Sequence, residues 1–256
     1  MCPMRQEKGK ITLPKVIFED EIILVIDKPA GLVVNRSETT QKVPTLQEWL
    51  ENNFKFSIFN FQSCRSGIVH RLDKGTSGII VIAKTKEAFD NLQRQFKERQ
   101  VEKKYLALAH GKIEPPNGTI RASVSRSPFN RKKFGVFLGG REAETDYTTI
   151  TNYKLQITNE IFSFLELKPK TGRTHQIRVH LKHIGHPVVG DEVYAGRKTY
   201  QADRKWCPRQ FLHAAFLSFT HPQTNKTIKF SSPLPADLKE ALAELAGHLA
   251  GHLAGA

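Results

Sequence analysis

One charged segment has the composition of a catalytic loop. A short apolar run leads into His70-Arg71-Leu72-Asp73-Lys74-Gly75-Thr76-Ser77-Gly78, and a second apolar run, Ile79–Ala83, follows it. This order predicts a loop that displays the Asp73 carboxylate between two core elements, a usual place for catalytic groups. Arg71 and Lys74 lie beside Asp73 in sequence and favour its ionised form, which suits nucleophilic catalysis. A structural ion pair beside a turn explains these residues equally well.

A second segment, Leu167–His180, supplies a candidate cation for that carboxylate. A strand is predicted to end there, Gly172 permits a tight turn, and Thr174 is typical of a helix start. Arg173 would then lie beside a helix N-terminus, where anionic partners are favoured. The sequence therefore predicts that Arg173 pairs with Asp73 through a bidentate contact.

Several histidines follow Arg173 closely enough to suggest a metal site. Their spacing matches none of the usual zinc signatures, and no acidic residue lies near them. We therefore expect no metal, and favour packing, RNA contact or helix capping as their roles. These histidines are His175, His180, His183 and His186.

The charge of the chain is strongly positive and unevenly distributed. The formal net charge is +14, and acidic residues are absent from positions 119–140 and 167–190. Segments of one sign create a field that attracts polyanions, so a nucleic acid is favoured as partner over a merely soluble basic protein. Tyr105 follows Glu102-Lys103-Lys104 and could stack on a nucleobase. An ordinary strand tyrosine is the alternative.

The elements that must position these residues indicate an α+β domain. Predicted strands outnumber helices and often follow each other directly, which favours a mixed, largely antiparallel sheet flanked by helices and loops. We expect a disordered lead-in over residues 1–15, a catalytic domain over 16–240 and a C-terminal helix or tail over 241–256. No apolar run is long enough to span a membrane, and the N-terminus lacks a signal-peptide core, so a cytoplasmic location is expected.

An ordered set of motifs resembles the RluA-type family of pseudouridine synthases. The most specific element is H-R-L-D-x-x-T-S-G, and its order with G-R-T-H-Q-I-R makes chance agreement improbable. The set covers about Val16 to Leu238. Its segments are Asp27–Val34, His70–Gly78, Lys103–Tyr105, Ala143–Tyr147, Gly172–His180, Gly185–Asp191 and Arg209–Ala214.

The resemblance implies a pseudouridine synthase fold with a central RNA-binding cleft, and roles for individual residues. Asp73 would be the nucleophile, at C6 of uracil or C1′ of the ribose. Tyr105 would stack on the flipped base and help to remove the C5 proton, while Arg173 would pair with the carboxylate. Arg71 would help to extrude the target nucleotide, and Ile177 would pack against the base.

The resemblance also implies partners and limits. No metal or organic cofactor is expected, and the partner would be ribosomal or transfer RNA acted on by a monomer. The basic residues Arg131, Lys132 and Lys133 predict an RNA-gripping arm within 119–140, with a plain basic hairpin as the alternative, and Arg178 is a further candidate RNA contact. Only about 15 residues precede the core, which resembles the branch without an N-terminal S4-type domain.

Two other functions fit parts of the sequence. A non-catalytic RNA-binding or ribosome-assembly factor would share the basic surface, but would have no chemical need for Asp73, Tyr105 and Arg173 together. A metal-dependent nuclease would use the histidines. Substrate choice lies in loops that the motifs do not determine.

Overall fold

The structure is a computed structural model that describes residues 12–36, 43–60, 62–131, 133–155 and 158–247. Its strands are β1 (Lys15–Glu19), β2 (Ile23–Lys28), β3 (Ser77–Ala83), β4 (Glu102–His110), β5 (Asn117–Arg121), β6 (Val124–Arg126), β7 (Phe134–Val136), β8 (Glu144–Lys154), β9 (Ile161–Pro169), β10 (Leu212–Thr220) and β11 (Thr227–Ser231). Its α-helices are α1 (Leu46–Asn53), α2 (Lys86–Lys97), α3 (Gln176–His183), α4 (Arg197–Asp203) and α5 (Ala236–Leu245). Short 3₁₀ turns occur at Ser57–Asn60 and Gln62–Gly67.

Nine of the described strands form one sheet. Their order is β1-β2-β3-β10-β4-β9-β8-β5, and β11 also pairs with β10. Among these pairs, β3 with β10 is parallel and the others are antiparallel. The α+β class with a mixed, largely antiparallel sheet is therefore confirmed. Strands β6 and β7 form a separate two-stranded hairpin.

The sequence predicts two helices that pack on the first half of the sheet, because Thr45-Leu46-Gln47-Glu48 is typical of a capping box and Thr85 of a helix cap, and the structure contains both. Thr45 caps α1 through a full capping box with Glu48, and the Thr85 side chain accepts from the Ala88 N–H at the start of α2. Both helices bury the apolar faces that their spacing indicates, with Leu46 and Leu50 in α1. These helices close the core behind β2 and β3, from which the Asp73 loop emerges.

Other boundaries differ from the sequence-based predictions. Helix α3 begins at Gln176 rather than Thr174, because His175 adopts a left-handed conformation that no continuing helix permits. Strands β1, β5, β6 and β7 and helix α4 were not predicted. Each is short or lies at an edge, so its apolar periodicity is weak.

Parts of the expected lead-in and of the expected tail lie outside the described residues. These parts are residues 1–11 and 248–256. The first described strand, β1, begins at Lys15, the last residue of the expected lead-in. Over the ranges that the structure describes, no helix has both the length and the apolar character that crossing a membrane requires.

Candidate active site

A buried lysine anchors the loop that carries Asp73. Lys28 is fully buried at the end of β2, and its Nζ donates to the carbonyls of Pro29 (2.7 Å), Leu32 (3.0 Å) and Lys74 (3.4 Å). The Lys74 carbonyl also accepts from the Gly31 N–H at 2.8 Å. These bonds tie the loop to the turn after β2, and they fix the backbone next to Asp73.

A glycine fixes the other end of the loop. Gly78 has a φ of +118°, and a Cβ atom there would lie 2.2 Å from the Ala214 carbonyl oxygen. This close approach occurs where β3 and β10 pair in parallel, so a side chain would push the two strands apart. Because β3 continues directly from the loop, that pairing fixes the end of the loop that joins β3.

The cationic partner of Asp73 is Arg178. Its Nη1 donates to Asp73 Oδ2 at 2.9 Å, while its Nε and Nη2 donate to Asp191 at 2.7 and 2.9 Å. Asp191 is fully buried, and the Asp73 side chain retains 19% exposure. Burial of Arg178 opposes its charge, but the two carboxylates outweigh burial and raise the pKa of Arg178 further. A permanent cation thus holds one oxygen of Asp73.

The predicted pair between Arg173 and Asp73 is wrong. The Nε of Arg173 donates to the Glu142 carbonyl at 3.1 Å, and its backbone N–H donates to Gln176 Oε1 at 2.9 Å. Because α3 starts two residues later than predicted, Arg173 lies in the preceding turn and not directly beside the first residue of the helix. Arg178, in the first turn of α3, is carried to the carboxylate instead. Burial is the first cause that lowers the pKa of Arg173, and neighbouring arginines add to it.

Asp73 opens into a cleft of about 580 Å³. Tyr105, Ile177, Arg71 and Arg173 line it with Asp73, so the structure brings together these residues from distant segments. The Ile177 side chain is buried at its wall. Burial, followed by the nearby Asp73 carboxylate, raises the pKa of Tyr105, which keeps its phenol protonated at neutral pH. A volume of this size suits one nucleotide-sized ligand.

The lining is strongly positive around its single carboxylate. Among the residues that the structure describes there, Asp73 is the one acid. Burial lowers the pKa of Lys103 to about 8, so its charge is largely kept at neutral pH. Such a wall attracts phosphate and stabilises negative charge that develops on a bound group. The cations are Arg65, Arg71, Lys97, Arg99, Lys103, Lys170, Arg173 and Arg178.

His175 lies near the carboxylate oxygen that Arg178 does not contact. Its Nε2 lies 3.9 Å from Asp73 Oδ1, and its Nδ1 lies 2.8 Å from the Tyr194 hydroxyl. Burial lowers the pKa of His175; Asp73 opposes this, and Arg178 reinforces it. The ring is therefore neutral near pH 7, between a hydroxyl and a carboxylate.

The basic arm predicted within 119–140 contains the hairpin of β6 and β7. Arg131 and Lys133 lie exposed in its connecting loop, and Lys132 lies outside the described residues. The described cleft lining includes neither of the two. At the loop end of the hairpin, the Arg126 guanidinium covers the Phe134 ring at 5.0 Å, and that ring meets His175 edge-on at 5.4 Å. The arm therefore contacts His175, which lines the cleft.

The other histidines do not converge with His175. His180 Nε2 contacts the Ala122 carbonyl at 3.0 Å, and His186 Nδ1 contacts the His110 carbonyl at 2.7 Å. His183 is exposed. Within the described part of the chain, no group of three or more potential metal-ligating side chains is found.

Sequence reasoning missed three residues that shape this site and gave a fourth a different role. Arg178 was predicted as an RNA contact rather than as the partner of Asp73. Lys28 and Asp191 lie in motif segments but were not singled out, and Tyr194 lies outside those segments. One signal was available in the sequence, because Asp191 is the first acid after the acid-free stretch 167–190. An arginine of that stretch can be buried only with a carboxylate partner, and Asp191 is a candidate for it.

Comparisons with known proteins find similar sequences. A family model described as RNA pseudouridylate synthase matches residues 22–183. Ribosomal large subunit pseudouridine synthase D of Nitrosomonas europaea is 40% identical over 232 residues, which cover 89% of this chain and 64% of that protein. The protein of the same name in Pseudomonas aeruginosa is also 40% identical over 232 residues, covering 87% of this chain and 69% of its own length.

A solved structure gives the same result. Human RNA Pseudouridylate Synthase Domain Containing 1 is similar with a TM-score of 0.68 and 28% sequence identity, covering 89% of this chain and 86% of that one. The chain spans 64% and 60% of the length of the first relatives that it matches, from Nitrosomonas europaea and Neisseria meningitidis.

Proposed function

The chain belongs to the RNA pseudouridylate synthase family, and we propose that it isomerises uridine to pseudouridine in RNA with Asp73 as the nucleophile. One observation carries this proposal. A carboxylate with 19% exposure lies in a cationic cleft, and Arg178 donates to one of its oxygens. Its other oxygen lies 3.9 Å from His175 Nε2 and receives no hydrogen bond from the described residues. A carboxylate oriented in this way can attack a bound group.

The reaction requires no external reactant. An oxygen of Asp73 attacks C6 of uracil or C1′ of the ribose, and the N1–C1′ bond breaks. The base turns, C5 bonds to C1′ and the carboxylate is released. The C5 proton leaves to solvent, directly or through Tyr105, and N1 takes up one proton. The surrounding cations stabilise negative charge on the detached or attacked base. Since the Tyr105 phenol is protonated, it can take the C5 proton only by passing its own proton on.

The cleft also suits the geometry of the substrate. A uridine in an RNA helix must leave its stack before Asp73 can reach it, at a cost of a few kcal/mol. Phosphate contacts to the cationic wall and to the basic arm can offset that cost. Arg71 and Arg173, at the mouth of the cleft, are the cations that we assign to the backbone beside the flipped nucleotide.

We propose large-subunit ribosomal RNA as the first substrate to test, because relatives such as the Nitrosomonas europaea protein carry that name. Transfer RNA is the alternative. The assay is release of tritium to water from transcripts labelled with [5-³H]uridine, since each isomerisation removes the C5 hydrogen.

The matched carboxylate variants are Asp73→Asn in the cleft and Asp90→Asn on the exposed face of α2. Release by wild type and by Asp90→Asn, with none from Asp73→Asn, supports the proposal. Binding of the transcripts by wild type without release would instead indicate a non-catalytic RNA-binding protein. Shortened RNA and inhibition by a chelator would indicate a nuclease.

A further inference from the structure

The Tyr194 hydroxyl links the basic arm to the catalytic cleft. The backbone N–H of Phe134, in β7, donates to the Tyr194 oxygen at 3.1 Å. The same oxygen lies 2.8 Å from His175 Nδ1. A tyrosine hydroxyl has one proton and two lone pairs. When it accepts from Phe134, its own proton is available for Nδ1.

This assignment fixes the proton on the imidazole. If Nδ1 accepts from Tyr194, the neutral ring carries its hydrogen on Nε2. That nitrogen lies 3.9 Å from Asp73 Oδ1, whereas Asp73 Oδ2 is already bonded to Arg178. An approach of about 1 Å would bring Nε2 within hydrogen-bonding distance of Oδ1. Such contacts often tighten when substrate binds.

Three features hold His175 in this orientation. Its backbone is left-handed, with φ 57° and ψ 19°, a conformation that histidine adopts at an energetic cost. Its ring meets the rings of Phe134 and Tyr194 edge-on, at 5.4 and 5.7 Å. Tyr194 is itself fixed, because its N–H donates to Asp191 at 3.1 Å and the Arg178 guanidinium covers its ring at 5.0 Å.

We propose that His175 is a positioning residue that orients the Asp73 carboxylate through Nε2–H, and that Tyr194 sets the tautomer of His175. The proposal rests on the proposed function for its kinetic consequence, but the tautomer does not depend on turnover. Arg178 would then restrain one oxygen of Asp73 and His175 the other. Because each oxygen has two lone pairs, a bond from Nε2 leaves one on Oδ1 for attack.

The first test measures the tautomer in the free protein. Two-bond ¹H–¹⁵N spectra of the ¹⁵N-labelled chain at pH 7.5 separate the tautomers of neutral histidines, and His175→Gln identifies the signals of His175. The expected result is a proton on Nε2 in wild type and a mixture of tautomers in Tyr194→Phe. A proton on Nδ1 in wild type, or an unchanged spectrum in Tyr194→Phe, would overturn the proposal.

The second test measures turnover with the tritiated ribosomal transcript. His175→Leu should lower kcat about 10- to 100-fold while KM changes less than about 3-fold, because the variant loses orientation rather than RNA contacts. His175→Gln, whose amide can still donate toward Asp73, should recover kcat to within about 5-fold of wild type. Glu240→Leu, an exposed change on α5 outside the described cleft lining, is the control and should equal wild type.

A double-variant cycle connects the two residues. Tyr194→Phe alone should lower kcat about 3- to 10-fold, and should have no further effect in a His175→Leu background, because its effect passes through His175. Additive losses, or equal losses in His175→Gln and His175→Leu, would overturn the positioning role. A wild type that releases no tritium but carries the proton on Nε2 would contradict the proposed function alone.

Discussion

The link from Asp73 through Arg178 to Asp191 predicts a stability effect that can be calculated from its bonds. Arg178→Met removes three charge-assisted hydrogen bonds, at 2.7, 2.9 and 2.9 Å. Asp191 stays fully buried and keeps the backbone N–H groups of Val193 and Tyr194 on Oδ1. Breaking a buried pair from one side costs roughly 3–5 kcal/mol, because the remaining charge has lost its partner.

The measurement is urea denaturation followed by far-UV circular dichroism at pH 7. We expect the free energy of unfolding of Arg178→Met to fall by about 3–5 kcal/mol, and Tm to fall by roughly 6–20 °C. Adding Asp191→Asn should restore the free energy to within about 2 kcal/mol of wild type, because no unpaired buried charge remains. Arg173→Met is the matched control in the same segment and should cost less than about 1 kcal/mol.

A loss below about 1 kcal/mol in Arg178→Met, or a double variant no more stable than the single one, would refute the reasoning.

Three further predictions concern the cleft, the arm and the acid stability of the fold. Tyr105→Phe keeps the ring but loses the hydroxyl, so RNA affinity by filter binding should change less than about 3-fold. Turnover should fall about 10²- to 10⁴-fold, and normal turnover would exclude the hydroxyl from proton transfer. Replacing the basic residues at 131–133 with Gln should weaken RNA binding and reduce the slope of log K against log salt by about one for each lost phosphate contact, and an unchanged slope would place the arm outside the interface. Burial, followed by nearby Lys103, lowers the pKa of His70 to about 3, well below the unfolded value. The unfolded chain therefore binds a proton that the folded one does not, and wild type should lose stability as pH falls from about 6.5 toward 3. This group should contribute at most about 1.4 kcal/mol per pH unit to that loss. His70→Gln, which can still accept the Val81 N–H, should show a shallower fall in urea denaturation at pH 6.5, 5.5 and 4.5, and equal slopes would contradict the assignment.

Sequence signals succeeded where their physical cause is local. The capping residues Thr45 and Thr85 act within one helical turn, and buried strands such as β3 consist of continuous apolar residues. The Asp73 loop was recognisable for the same reason, since its charged residues and glycines are contiguous. Short or edge elements such as β1 and α4 carry too few buried positions for periodicity to reveal them.

What the sequence by itself determined was therefore the class of fold, the loop that displays Asp73 and the family motifs around it. The tertiary structure decided which arginine meets Asp73, from 105 positions away. That choice depends on where α3 begins: the left-handed His175 leaves Arg173 in the turn and carries Arg178 into the buried interior, where Asp191 can hold it. A helix start can shift by two residues with little change in local sequence preference. A buried guanidinium without a carboxylate partner is energetically costly, so the tertiary packing must bring Arg178 and Asp191 together.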